Sequence, residues 1–317
     1  MNILVTGGSG FIGTRLIDNL LKEGHSVKIY DKATSSKYPD LVTIGDVRDE
    51  KDLIEASKGI DIIYNLAAEH ADDVTPLSLY ADVNVGGAKN IVTVAKKNNI
   101  KRVVFTSTVA IYGLNKGAST EEMPAEPFNE YGKSKNDAET IFMQWANDNS
   151  ENSLTVVRPA VVFGEENRGN VYNLISQVQT GKFLIIGDGQ NKKSMGYVGN
   201  IAAFLAEQTG APAGVRHFNF ADKPDLTSRE IIDIITDELD FKKKIPSAPY
   251  WLGLAGGYTF DIISKLTGKK FPISSIRIKK FTAETVVNTD KLIASGFKPP
   301  YTLEEGLRKM IAHEFKK

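Results

Sequence analysis

A phenol and an ammonium held four residues apart on a helix can pass a proton to and from a third group. Tyr131 and Lys135 have that spacing, inside a stretch, Asn129–Asn147, whose pattern predicts a helix. On a helix the i and i+4 side chains stack on one face. A free phenol, with a pKa of about 10, is a poor base near neutrality, and an adjacent ammonium favours its ionised form. A hydroxyl at the end of the preceding apolar run, Thr108 or its neighbour Ser107, would hydrogen-bond a substrate oxygen alternating between alcohol and carbonyl. The same Tyr-x-x-x-Lys spacing recurs at Tyr112 and Lys116. There Gly113 follows at once in a polar loop, where an offset of four residues fixes no shared face. Tyr131, Lys135 and Thr108 are therefore the expected catalytic set.

Proton transfer to a carbinol oxygen is useful when something else takes the hydride, and the start of the chain offers a place for it. Thr6-Gly7-Gly8-Ser9-Gly10-Phe11-Ile12-Gly13 follows a β-branched run and opens a helical pattern. Glycines at 7, 10 and 13 permit a tight turn, a close backbone approach to a pyrophosphate, and close helix–sheet packing. The helix start then offers unpaired N–H groups and a positive dipole end to the phosphates. Asp31 ends the second predicted strand, at the distance expected of a carboxylate that binds an adenosine ribose, and it favours NAD over NADP. Asp46-Val47, just after the third strand, is expected to edge an adenine pocket.

The elements that must hold these residues alternate regularly. Strands are expected at Asn2–Thr6, Ser26–Tyr30, Leu41–Ile44, Asp61–Tyr64, Arg102–Ser107 and Leu154–Arg158, and helices at Phe11–Lys22, Asp49–Ser57, Ser78–Asn98 and Asn129–Asn147. That order is the signature of an α/β Rossmann fold, a doubly wound parallel sheet. The alternation weakens after Gly164. Residues 1–164 are expected to form the NAD-binding domain, with a return segment near 196–222 that includes a strand at Val215–Phe220. Residues 165–317 are then mainly a smaller, interleaved α/β substrate domain. Its expected elements are helices at Val171–Thr180, Asn200–Gln208, Ser228–Leu239 and Leu303–His313 and a strand at Phe183–Ile186.

Composition narrows the class. Hydrophobic residues are 41% and charged residues 25% of the 317, as in ordinary globular proteins. The 39 basic and 39 acidic side chains cancel, so no net attraction draws the chain to nucleic acid. With no cysteine there are no disulfides, thiolate metal sites or cysteine nucleophiles, and no metal site is expected. The absence of cysteine and the immediate apolar strand suit a cytoplasmic protein without a leader. The weakly polar stretch Ala248–Ile263 is shorter than the roughly 20 residues that span a bilayer, so no membrane span is expected. It reads as a helix of the substrate domain, with a segment lying on a membrane surface as the alternative.

Taken together, Thr6–Gly13, Asn65-Leu66-Ala67-Ala68, Val83-Asn84-Val85-Gly86-Gly87, Phe105-Thr106-Ser107-Thr108 through Tyr112-Gly113, and Tyr131-Gly132-Lys133-Ser134-Lys135 resemble the extended short-chain dehydrogenases/reductases. The likeness is strongest to the NAD-dependent nucleotide-sugar epimerase/dehydratase group and runs over nearly the whole chain. It implies that Phe11, Ile12, Asp31, Asp46, Val47, Leu66, Ala67, Ala68, Asn84 and Ser107 line NAD, beside Tyr131 and Lys135. It also implies a homodimer built through a four-helix bundle, to which Ser78–Asn98 and Asn129–Asn147 would each contribute.

Departures from that pattern select among activities. The related 4,6-dehydratases carry an Asp-Glu pair after the catalytic threonine, whereas Thr108 is followed by Val109-Ala110, which disfavours water loss. An asparagine that usually contacts the nucleotide sugar is Val161 here. Remaining substrate candidates are Asn173 for the nucleotide, Lys193 near the place of a diphosphate-binding arginine, Arg277 as a clamp, and Glu69 and His70 beside the sugar. The expected function is a nucleotide-sugar 4-epimerase, with a UDP-sugar as substrate. A 4-keto-sugar reductase, a hydroxysteroid- or flavonol-type dehydrogenase, and a silent NAD-sensing regulator are the alternatives. The regulator fits worst, since it would ordinarily have lost Tyr131 or Lys135.

Overall fold

The structure is a computed structural model that describes residues 1–71, 74–114, 116–268 and 274–316. Two compact units divide the chain. The first comprises Met1–Val162, Gly196–Ala221 and Val287–Tyr301; the second comprises Phe163–Met195, Asp222–Val286 and Thr302–Lys317.

The first unit is a seven-stranded parallel sheet. Its strands are β1 (Asn2–Thr6), β2 (Ser26–Asp31), β3 (Val42–Ile44), β4 (Ile62–Asn65), β5 (Arg102–Thr106), β6 (Ser153–Pro159) and β7 (Gly214–Phe220). They lie in the order β7-β6-β5-β4-β1-β2-β3, so the chain winds one way from β1 and then the other. This is the doubly wound arrangement that the alternating pattern predicts. Alternate residues of each strand feed two cores. Leu4, Ile63, Val103 and Phe105 join one, with Phe142 and Trp145; Ile3, Val5, Ile62 and Val104 join the other, with Leu16, Leu20 and Phe204.

Four helices cover β1 to β6: α1 (Phe11–Lys22), α2 (Glu50–Ala56), α3 (Gly86–Lys97) and α4 (Glu130–Asn147). Asp49 and Asn129, expected as first helical residues, are instead N-caps whose side chains accept from backbone N–H groups of the first turn. The single helix expected over Ser78–Asn98 is interrupted. A short helical turn, Ser78–Tyr80, runs into a π-helical turn, Ala81–Val85, before α3 begins. A single wider turn takes up one extra residue, a phase shift too small to stand out in a count of apolar spacing over the whole stretch.

β7 pairs with β6 along its full length, from Gly214 opposite Ser153 to Phe220 opposite Pro159. The segment Val287–Tyr301 also belongs to this unit: Phe297 meets Phe204 edge-on, with ring centres 5.1 Å apart, and Leu292 is buried in the same core. The expectations for the late part of the chain did not include this second return.

The second unit is mainly helical. Ser228–Glu238 and Leu303–Phe315 both begin with complete capping boxes, Thr227 with Glu230 and Thr302 with Glu305. Arg308 joins the two helices through Asp237 and Glu238, each at 2.8 Å. Short strand pairs, Lys192–Lys193 with Leu226–Thr227 and Ile185–Ile186 with Ser247–Ala248, complete it. The apolar stretch near Ala248 is a helix, Tyr250–Thr267, packed on the helix Ser275–Thr282.

Candidate active site

Parallel strands β1, β2, β4 and β5 end at Thr6, Asp31, Asn65 and Thr106, and the residues expected to carry the chemistry lie at or after those ends. That edge is where ligands bind in doubly wound sheets. Thr6 Oγ1 donates to Asn65 Oδ1 at 2.8 Å, which ties the ends of β1 and β4 together beneath the glycine loop.

The loop is closed as tightly as backbone allows. Gly7 has φ +73°, and a Cβ there would lie 2.6 Å from the Ala67 nitrogen. A Cβ on Gly13 would lie 2.7 Å from the Gly7 oxygen. Gly10 caps α1 with no side-chain acceptor, so the helix start keeps donors for a ligand. A cradle of this shape fits a dinucleotide pyrophosphate. Phe11 and Ile12, half-buried, form the first turn, and Leu66, Ala67 and Ala68 run past the loop on the other side.

Asp31 accepts from Ser9 N and Ala33 N, both at 3.0 Å, one on each carboxylate oxygen. It therefore holds the glycine loop, and each oxygen retains a second lone pair for a ribose hydroxyl. Asp46 is held by a local ion pair. Arg48 grips its carboxylate through Nε at 3.0 Å and Nη2 at 2.7 Å and holds it below the usual range. Val47 is buried against Gly87, where a Cβ would come within 2.9 Å of it.

Asn84, on the π-helical turn, accepts from Glu69 N at 2.8 Å and donates to Glu69 O at 3.0 Å and Ser134 Oγ at 2.8 Å. Both amide hydrogens are thereby committed to joining the loop after β4 to α4. The carboxylate of Glu69 accepts from its own loop, at His70 N and Ala71 N, and His70 is exposed.

Thr108 caps the short 3-10 turn Val109–Tyr112, accepting from Ala110 N at 3.2 Å, and its side chain lies close enough to Tyr131 to favour the ionised phenol against the larger effect of burial. One turn further along α4, Lys135 is 1% exposed, with Nζ 4.3 Å from the centre of the Phe105 ring. Ser107 Oγ is buried without a hydrogen-bond partner among the described residues. The sequence led us to expect an ionised phenol favoured by the lysine. Burial instead drives both groups toward neutrality, Tyr131 up to about 12 and Lys135 down to about 7.

The stripe Tyr131–Lys135 continues to Glu139, which the sequence reading missed although the i, i+4 step simply repeats. Glu139 is 1% exposed and binds Arg158 of β6 bidentately, at 3.0 and 2.6 Å. Arg158 also donates to the Tyr112 hydroxyl at 2.8 Å, and that hydroxyl donates to Asn219 Oδ1 at 2.7 Å. Asn219 N in turn donates to Glu121 Oε1 at 2.7 Å. Tyr112 thus has both its hydrogen-bonding roles filled inside the protein, and Lys116 pairs with Glu126. The second Tyr-x-x-x-Lys match is structural.

Three of the residues expected at the substrate, Asn173, Lys193 and Arg277, belong to the second unit. Asn173 is exposed on the helix Asn170–Gln179, and Arg277 is exposed on Ser275–Thr282. Lys193 is half-buried, donates to the carbonyl of Ala283 and is held down to about 8 by burial. Val161, in the first unit, is 44% exposed.

Two outcomes follow. Tyr131→Phe should fold normally and lose at least about a hundredfold in turnover, the scale of a positioned acid/base. Tyr112→Phe should instead cost about 1–3 kcal/mol in urea denaturation, by leaving buried partners unsatisfied, with activity per folded molecule retained. The reverse pattern would exchange the two roles. For Lys135, an unfolded lysine has a pKa of about 10.4, so between about pH 7 and 10 the unfolded chain binds a proton that the native, cofactor-free chain does not. Stability relative to Lys135→Met should therefore rise with pH across that window and level off below it. A flat difference would mean that the buried amine stays charged.

Comparison with known proteins agrees with this geometry. A profile described as the NAD dependent epimerase/dehydratase family matches residues 3–219. The chain is 49% identical over 318 residues to the N-acetyl-alpha-D-glucosaminyl-diphospho-ditrans,octacis-undecaprenol 4-epimerase of Escherichia coli O157:H7, covering 99% of this chain and 95% of that protein. It is 29% identical to the UDP-glucose 4-epimerase of Vibrio cholerae, covering 97% and 93%. The solved structure of the UDP-glucose 4-epimerase of Thermus thermophilus in complex with NAD shares the fold, with a TM-score of 0.76 at 23% identity over 99% of this chain and 98% of that one. The chain belongs to the NAD-dependent epimerase/dehydratase family and is an NAD-dependent enzyme of the extended short-chain dehydrogenase/reductase type.

Proposed function

We propose that the protein inverts carbon 4 of an N-acetylhexosamine carried on a diphosphate, with NAD kept through the cycle. The observation that carries this is Thr108 buried beside Tyr131, with Lys135 buried one turn behind it. NAD, when bound, supplies the two-electron acceptor that takes the hydride from carbon 4 and gives it back. Gly7, Gly10 and Gly13 hold its pyrophosphate, Asp31 its adenosine ribose, and Lys135 the ribose on the nicotinamide side.

Tyr131 takes the proton of the 4-hydroxyl as the hydride leaves, and returns it when the hydride comes back to the other face. Thr108 hydrogen-bonds the same oxygen in both its alcohol and carbonyl forms. Burial alone keeps the phenol protonated, so its activation requires a positive charge beside it in the ternary complex. Lys135 is the cation we assign to that task. Val109-Ala110 after Thr108 bring no acid and base for water loss, which argues against a dehydratase.

The carrier is the finer question. The relative that is 49% identical acts, by its name, on a diphospho-undecaprenol, and we take a polyprenyl diphosphate as the first reading. A UDP-sugar is the second, favoured by the UDP-glucose 4-epimerase relative. Val161, which replaces the expected sugar-contacting asparagine, fits a carrier without a nucleotide. We further propose that the enzyme works in the cytoplasm as a homodimer, with Gly86–Lys97 and Glu130–Asn147 of each subunit forming the bundle.

Incubation with N-acetylglucosaminyl diphosphopolyprenol and, separately, with UDP-N-acetylglucosamine tests the reading, with sugar configuration followed by NMR. The expected result is a mixture of 4-epimers from the lipid-linked substrate with no net change in NADH. Conversion of the UDP-sugar alone would establish the second reading. Stoichiometric NADH consumption on a 4-keto sugar would make the protein a reductase and overturn both.

A further inference from the structure

The helix Tyr250–Thr267 is inside out for a water-soluble protein. Where it packs most closely its residues are small. A Cβ on Gly257 would lie 2.9 Å from the Ser275 backbone, and one on Gly253 2.6 Å from Ile186. The opposite side carries Trp251, Ala255, Tyr258, Ile262 and Leu266, a single stripe at helical spacing, with Leu252 and Ile263 beside it. Trp251 is 69% exposed, Ile262 61% and Leu266 80%. Thr259 is the polar residue within this face, and its hydroxyl donates back to the Ala255 carbonyl at 3.0 Å. A surface helix ordinarily turns such a stripe toward the core.

The sequence around the stripe carries charge of one sign. From Phe241 to Ala283 the sequence has nine Lys and Arg residues and one acidic residue, in a chain whose net charge is zero. The acidic residue, Asp261, accepts from Ser275 N at 3.2 Å on the neighbouring helix. Lys242, Lys243 and Lys244 precede the helix and are exposed. Lys279 donates to the Tyr258 hydroxyl at 3.0 Å, at the edge of the apolar face. An apolar stripe with aromatic residues and a basic rim is complementary to an anionic bilayer surface. At 18 residues the helix is about 27 Å long. No helix among the described residues is long and apolar enough to cross a membrane.

We propose that the helix Tyr250–Thr267 docks the enzyme on an anionic lipid bilayer, lying in the interface with Trp251, Ile262 and Leu266 among the acyl chains. The proposal rests on the polyprenyl reading of the substrate for its purpose, since a long polyprenyl chain stays in the bilayer and the enzyme must come to it. The docking itself depends on this helix alone. A second copy of the chain fits the face less well, because a twofold contact would bring two basic rims together.

Co-sedimentation of the full chain with phosphatidylethanolamine vesicles, with and without phosphatidylglycerol, tests this without any substrate. Wild-type protein should pellet with the phosphatidylglycerol vesicles and be released as salt is raised. The combined variant Trp251→Ser, Ile262→Ser and Leu266→Ser should keep its circular dichroism and bind at least about tenfold more weakly. Protein that stays in the supernatant, or a variant that binds like wild type, overturns the proposal. So does a wild-type dimer that the same substitutions convert to monomer while neither protein binds vesicles. Because epimerisation of a short-chain, water-soluble prenyl diphosphate substrate is scored separately, loss of catalysis and loss of docking are told apart.

Discussion

Glu139 and Arg158 have both been taken out of water, and each makes sense only because of the other. An isolated buried carboxylate or guanidinium costs several kcal/mol, and removing one partner of such a pair costs about 3–5 kcal/mol. Their bidentate contact joins α4 to β6, and the Tyr112 and Asn219 hydroxyl–amide contact carries it on to β7. The rotation of α4 is set by this anchor. With Glu139 turned inward, Lys135 and Tyr131, one and two turns earlier on the same face, are turned inward too, and Tyr131 meets Thr108 at the end of β5.

Burial sets the protonation of Lys135, next on the stripe, pushing it down to about 7, and the Glu139 carboxylate opposes that shift without overcoming it. Tyr131 is held neutral by the same desolvation.

Local rules made much of this legible in the sequence. The glycine loop, the strands β1 to β7 and the Tyr131/Lys135 stripe each depend on short-range spacing, and each is where that spacing puts it. What period counting could not supply was partnership across the chain. Arg158 read as the end of a strand and Glu139 as one more polar helical residue, because their pairing crosses elements. The same holds for Asn84, whose π-helical turn serves contacts to Glu69 and Ser134, and for Val287–Tyr301, whose place is set by Phe204. The pairing of Asp46 with Arg48, two residues on, was likewise not legible in the spacing. The helix Tyr250–Thr267 was recognised as apolar, but nothing in its periodicity told which face would be covered.

The central claim is that a single hydride leaves carbon 4 and returns to it within one active site, beside Tyr131. A substrate carrying deuterium at carbon 4 tests it most directly, with the label located by NMR after both epimers have formed. The account predicts that deuterium stays at carbon 4 in both epimers, with none in solvent and none in released NADH. Exchange of the label with water, or its appearance in free reduced cofactor, would contradict it.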